Sequence, residues 1–381
     1  MEEPYIPLCQ PFIGGNEASL VQECFETSWI SSAGPAVTKF QAEFASYIGS
    51  EGAVPVASGT SALHLALIVA GVGPDQEVIT SNITFVAPVN AIRYTGAWPV
   101  LIDASPSDWQ MDVQKLDDFL HSGCAYESGV LRNKATGRII KAILPVHILG
   151  HSVNIVRIVE LARKFDLLVI EDASESLGAR FGDQLVGTFG DAGCFSFNGN
   201  KLMTTGAGGM LISKNPEWIE RAGHLSQQAK VGTAEYDHDE IGYNYRMSNL
   251  HAALGLGQLA QLDQFIESKR TSAGVYIDLL SEFLPPNAIM SEAAGTKSSY
   301  WLYTALFGDR SREIIQKLSQ HNIGARPIWR PMHQLSYLKD AYCHNSDFSD
   351  RFFREAISLP SSVGITSDEI HRVVRVLASF F

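Results

Sequence analysis

Lys201 lies between an aromatic run, Phe195-Ser196-Phe197, and three glycines within four positions, Gly206, Gly208 and Gly209. Lysine sheds its charge readily in surroundings that disfavour it, so it serves as an amine nucleophile toward carbonyls. The glycines would let backbone approach a flat ligand closely. Earlier in the chain, Val56-Ala57-Ser58-Gly59-Thr60-Ser61-Ala62-Leu63 reads as a strand end, a short polar step and a helix start. The first helical turn offers N–H groups and the positive end of the dipole, which suits a phosphate. Gly59 admits close approach there, and Thr60 and Ser61 add hydroxyls. Between these two pieces, an apolar run at 167–170 leads into Glu171 and Asp172. Ligands of open parallel sheets bind beyond the carboxyl ends of the strands. A buried acid there could hold a protonated ring nitrogen. Strand alternation turns Glu171 to the other face, which makes Asp172 the better candidate. Each piece also has an ordinary explanation: a loop lysine, a plain helix cap, a capping aspartate. As a nucleotide motif the glycine run fails its context, because it opens a strand and not a helix.

These groups need a sheet to hold them. Short apolar runs at 53–56, 77–80, 99–103, 142–146 and 167–171 read as strands. Helical spacing separates several of them: Leu63, Ala66, Leu67 and Ala70 follow i, i+3, i+4, i+7, and 155–165 is similar. Such repetition argues for an α/β domain with a mostly parallel sheet. Strands at 192–197 and 210–213 flank the lysine loop with no helix between them, so antiparallel pairing is expected. The stretch 248–270 reads as one long helix of connector length. Beyond it come a strand at 300–306 and helices at 311–320 and 367–377, with Ser, Thr or Asp placed to cap both. The expected division is a large domain at 1–262 and a smaller C-terminal α+β domain at 263–381.

The chain has 381 residues, 45% of them hydrophobic, with a formal net charge of −12. Size and composition suit a two-part globular enzyme. The acidic balance argues against sequence-independent nucleic-acid binding, which needs a basic footprint. Five scattered cysteines without a C-x-x-C pair argue against a disulfide framework or a zinc site, and no metal is expected. The start, Met1-Glu2-Glu3-Pro4, has no apolar signal core, and no run is long enough to span a membrane. A cytoplasmic location is the expectation.

The order of the three pieces, with their details, resembles the pyridoxal-phosphate (PLP) enzymes of the aspartate-aminotransferase fold, fold type I. Within these, the chain resembles the DegT/DnrJ/EryC1/StrS sugar aminotransferases, from Pro7-Leu8 through Gly15 to Leu359-Pro360-Ser361-Ser362. The resemblance implies PLP as cofactor, alternating with pyridoxamine phosphate, and Lys201 as the Schiff-base lysine and the general base and acid. Gly59, Thr60 and Ser196 would hold the phosphate, and Phe85 would stack on the ring. Asp172 would bind the ring nitrogen, and Glu175 would lie near the ring hydroxyl. Asn198 stands where many relatives have histidine, beside the cofactor. His147 would lie by the cofactor on the substrate side. Asn244 would reach a phosphate in the neighbouring subunit, which implies a homodimer with shared sites. Arg326, Trp329 and His333 resemble the segment lining a nucleotide-sugar pocket, and Arg246 is a further base to offset a diphosphate.

The Ser-Phe-Asn-Gly-Asn-Lys form with Glu175, and Asn133-Lys134-Ala135-Thr136-Gly137-Arg138, resemble the branch that aminates UDP-4-keto-6-deoxy-N-acetylglucosamine. The implied reaction moves an amino group from L-glutamate to C4 of that sugar. A dTDP- or GDP-linked ketosugar is the alternative. Relatives that dehydrate a deoxysugar replace the lysine with histidine, so Lys201 argues against dehydration. A non-catalytic regulator on the same scaffold is the rival of another class, disfavoured by intact Lys201, Asp172 and Ser196.

Overall fold

The computed structural model describes residues 3–232 and 235–381. Met1 and Glu2 of the acidic start lie outside the described residues. The central sheet contains β1 (Gly52–Val56), β2 (Gln76–Ser81), β3 (Trp98–Ile102), β4 (Ile139–Leu144), β5 (Leu168–Asp172), β6 (Ala192–Ser196) and β7 (Gly209–Ser213). Their spatial order is β1-β7-β6-β5-β4-β2-β3. From β6 to β3 all neighbours are parallel. Strand β7 runs against both β6 and β1, as the helix-free loop between β6 and β7 led one to expect. Because β1 and β6 both flank the reversed strand β7, they point the same way. The carboxyl ends of β1, β2, β4, β5 and β6 therefore share one edge of the sheet, and β7 starts there.

Helix α1 (Glu17–Glu26) and helix α2 (Pro35–Ile48) precede the sheet. Helix α3 (Gly59–Val69) follows β1 and packs on β6 and β7. Its apolar residues Leu63, Leu65, Ala66 and Leu67 are fully buried, so it is held by core packing. On the other face, Phe195 and Phe197 of the β6 segment meet Phe40 and Phe44 edge to face at centroid distances of 5.2–5.5 Å. Such pairs contribute roughly 0.5–1.5 kcal/mol each beyond their burial. With the side chains alternating, Ser196 between these phenylalanines points to the ligand side.

The stretch expected to be one long helix is two: α4 (Asn249–Leu259) and α5 (Leu262–Leu280). Gln261, at the break, has φ −110° and ψ 0°. Its amide and that of Gln258 both donate to the buried carboxylate of Glu17. The apolar repeat carries on across the break because both helices bury their faces, so periodicity could not reveal a tertiary contact made by α1.

The C-terminal part has its own antiparallel sheet of β8 (Tyr303–Leu306), β9 (Arg326–Pro327) and, last in the chain, Ala356–Leu359, to which both pair. Strand β8 is shorter than the run at 300–306. Tyr300 takes φ +45°, outside strand geometry. Helix α6 (Ser311–Gln320) has no side-chain cap, whereas α7 (Ser367–Ala378) has a capping box of Thr366 and Glu369. The chain crosses the expected boundary at 262/263 in both directions. Tyr342–His344 joins the large sheet beside β3, and Ile6 and Leu8 bond to the C-terminal part through Asn322, Gly324 and Ser361. No helix among the described residues is long and apolar enough to cross a membrane.

Candidate active site

A cleft of about 360 Å³ opens at the shared carboxyl edge. Gly59, Thr60, Phe85, Asp172, Glu175, Ser196, Asn198, Lys201 and Trp329 all line it. Residues from five separate stretches of chain thus meet in one cleft.

At one end, Ser58 caps α3 by accepting from the N–H of Ser61. The N–H groups of Gly59 and Thr60 belong to the first turn, ahead of any intrahelical acceptor. A Cβ on Gly59 would come 2.7 Å from Ser196 Cβ, 3.1 Å from Ser174 Oγ and 3.2 Å from Ser196 Oγ. Two hydroxyls and two helix N–H groups thus converge where glycine leaves the space open, a fitting cradle for a phosphate. Ser174 went unnoticed in the sequence, although it stands two residues after Asp172.

In the middle of the cleft, Asp172 is buried and accepts from the Ser174 N–H at 3.0 Å. Burial pushes its carboxyl above the usual range, and Ser174 and the charge of Lys201 offset only part of that. A cation beside it, such as a protonated ring nitrogen, would restore the charged form. Glu171 points the other way and accepts from the N–H groups of Gly187, Phe189 and Gly190. Phe85 is 52% exposed at the cleft, a large apolar face free to lie against a flat ring.

Lys201 sits in a loop closed by bonds from its own N–H to Asn198 O and from Thr205 N–H to Phe197 O, both 2.9 Å. Its Nζ is 3.4 Å from Glu175 Oε1. The other Glu175 oxygen accepts from the Leu149 N–H at 2.9 Å. Leu149 has φ +62°, strain that a branched side chain tolerates only where surroundings hold it. Burial raises the Glu175 carboxyl, and Lys201 pulls it back. The indole of Trp301 lies under Nζ, 3.8 Å from ring centroid to nitrogen. Trp301 was missed because its segment reads as strand. Thr84, also missed, lines the cleft with a buried hydroxyl that has no partner among the described residues.

Five sequence candidates lie elsewhere. His147 is fully buried behind the cleft, with Nε2 3.0 Å from Glu171 and Nδ1 accepting from the Val153 N–H. Both nitrogens are used, so it supports β5 without lining the cleft. His333 is held by Asn82 and Asp350. Arg326 is exposed on β9, and among the described residues its side chain bonds only to the adjacent Ala325 carbonyl. Asn244 and Arg246 line a separate polar hollow with Ser32 and His224, and Arg246 donates to Ser32 O.

A family model described as the DegT/DnrJ/EryC1/StrS aminotransferase family matches residues 11–378. The chain belongs to this family. GDP-perosamine synthase of Escherichia coli O157:H7 is 36% identical over 379 residues, 99% of each chain. EpsN of Bacillus subtilis (strain 168), provisionally named a pyridoxal phosphate-dependent aminotransferase, is 38% identical over 382 residues, 99% of this chain and 96% of its own. The crystal structure of the aminotransferase TlmJ from Streptoalloteichus hindustanus superposes with a TM-score of 0.88 at 26% identity, over 98% of this chain and 99% of that one. As a DegT/DnrJ/EryC1/StrS member the chain has the fold type I architecture of PLP-dependent transferases, and PLP is its cofactor. The Gly59 cradle, the buried Asp172 and the half-buried Lys201 amine fit that group. Bound, it supplies an aldehyde for amine exchange and a ring that stores the electron pair.

Proposed function

We propose that the protein transfers the amino group of L-glutamate to C4 of a nucleotide-linked 4-keto-6-deoxy sugar, releasing 2-oxoglutarate. The observation that carries this reading is the meeting of Lys201, Asp172, Glu175 and the Gly59 cradle in one cleft. Gly59, Thr60, Ser174 and Ser196 anchor the cofactor phosphate. Asp172 keeps the ring nitrogen charged, and Phe85 covers one ring face. Lys201 Nζ takes the proton from the glutamate Cα and returns it on the other side of the transfer, the work of a general base and acid. Trp329 offers the sugar an apolar wall, and Arg326, three residues before it and exposed on β9 outside the cleft lining, meets the diphosphate.

The Asn198-Gly199-Asn200 lead-in to the lysine supports a UDP-linked 2-acetamido-sugar as the acceptor. The full-length likeness to GDP-perosamine synthases, at 34–36% identity, supports a GDP-linked sugar with equal weight. Asn244, exposed and outside this cleft, supports a homodimer in which it serves the partner's cofactor. Purified protein would be offered glutamate with UDP-, dTDP- and GDP-4-keto-6-deoxy sugars, with 2-oxoglutarate release as the readout. One nucleotide should stand out. A protein that keeps bound PLP yet turns over none of the panel would instead be a regulator. Light scattering should give twice the monomer mass.

A further inference from the structure

We propose that Trp301 is a positioning residue for Lys201: its indole face and the Glu175 carboxylate form the seat of the free lysine ammonium, while its ring N–H holds the lysine loop. This rests on the reading of Lys201 as the catalytic amine. Nζ lies 3.8 Å from the Trp301 ring centroid and 3.4 Å from Glu175 Oε1. A cation over an aromatic face within about 6 Å is attracted by the ring quadrupole, most strongly over tryptophan. An ammonium has three donors, and one carboxylate contact leaves the rest to be stabilised otherwise. The same indole donates from Nε1 to the carbonyl of Asn200 at 2.6 Å. One side chain therefore grips both the amine and the backbone just before it.

The seat is itself held firmly. Trp301 is 4% exposed, and its carbonyl accepts from the buried Lys269 Nζ at 2.8 Å. Its backbone nitrogen stands 2.5 Å from where a Cβ of Gly150 would be, so only glycine permits the approach. Gly150 follows Leu149, whose N–H holds the other Glu175 oxygen. Ring and carboxylate are thus registered to each other through two adjacent residues. In each turnover Lys201 spends part of its time as a free amine, and a long side chain has many rotamers to wander through. The seat keeps Nζ in the cleft during that time.

The test uses protein loaded with pyridoxamine phosphate, the form in which Lys201 is free. Acetic anhydride would be added at fixed pH, and acetylation of Lys201 followed by peptide mass spectrometry. An ammonium held by ring and carboxylate must leave its seat to react. Trp301→Leu should raise the Lys201 acetylation rate about fivefold, and Trp301→Phe, which keeps a ring face, should stay within about twofold of the parent. Hydrogen exchange of the 198–206 loop should quicken in both. Should Trp301→Leu fail to fold, fluorinated tryptophans replacing all six residues give a graded weakening of the ring face, and the rate should climb with fluorine number. Equal rates across these variants, with borohydride still trapping PLP on Lys201, would overturn the seat alone. Trapping at a different lysine would overturn the catalytic reading and the seat with it.

Discussion

The two walls of the cleft were assembled by different rules. On the cofactor side, Gly59, Asp172, Ser196 and Lys201 each stand at or just beyond the end of a strand in one sheet. Strand ends announce themselves in sequence through apolar runs that stop at small or polar residues, and alternation says which side chain faces the ligand. That wall was legible. The opposite wall comes from the 300–333 region, where elements are short and irregular. There Trp329 reaches the cleft, while Arg326 and His333 do not line it, and Trp301 arrives unforeseen. Its position depends on a positive φ at Tyr300 and on packing against Gly150, neither of which has a local pattern. The contrast teaches that a sheet converts sequence position into spatial position, and an irregular segment does so only through distant contacts.

The sharpest test of the cofactor wall is Lys201→Ala. Turnover should fall by about a thousandfold or more, since nucleophile and proton carrier are lost together. Borohydride should no longer fix PLP to the protein, with the melting temperature little changed. Asp172→Asn should lower kcat/KM by roughly a hundredfold, because a neutral amide cannot favour a charged ring nitrogen. A value near the parent would remove Asp172 from the cofactor wall.

The reverse of the same strand should respond in stability. Glu171→Gln keeps the shape but removes charge from an acceptor of three backbone N–H groups. It should cost about 2–4 kcal/mol in urea unfolding. Gly59→Ala places a methyl 2.7 Å from Ser196 Cβ, so PLP affinity should drop about tenfold, read by cofactor titration. The smallest effect belongs to a residue outside the cleft lining. Arg326→Ala should raise KM for the nucleotide sugar about threefold to tenfold and leave KM for glutamate unchanged. Equal changes in both would put Arg326 outside the sugar site.

The same division explains the other departures. His147 follows the apolar strand run at 142–146 and resembles a cofactor neighbour, yet the buried carboxylate of Glu171 claims it. A sequence cannot say which of two polar groups on adjacent strands will pair. The uninterrupted apolar repeat at 248–270 hid the break at Gln261, because the cause lies on α1. Ser174 lies in the turn past the end of β5, beyond the reach of strand alternation, whereas the antiparallel course of β7 was readable from the helix-free loop before it.

The bond from Trp301 to the Asn200 carbonyl joins residues 101 apart. During synthesis the lysine loop leaves the ribosome well before the tryptophan has been made. The phosphate cradle and ring acid emerge earlier still, so a nascent chain displays one side of its site to the cell with nothing opposite. The amine's companion arrives only with the last quarter of the polypeptide. Maturation of this site is therefore a late event, and a chain cut short near residue 290 would carry its lysine with Glu175 but without the indole face.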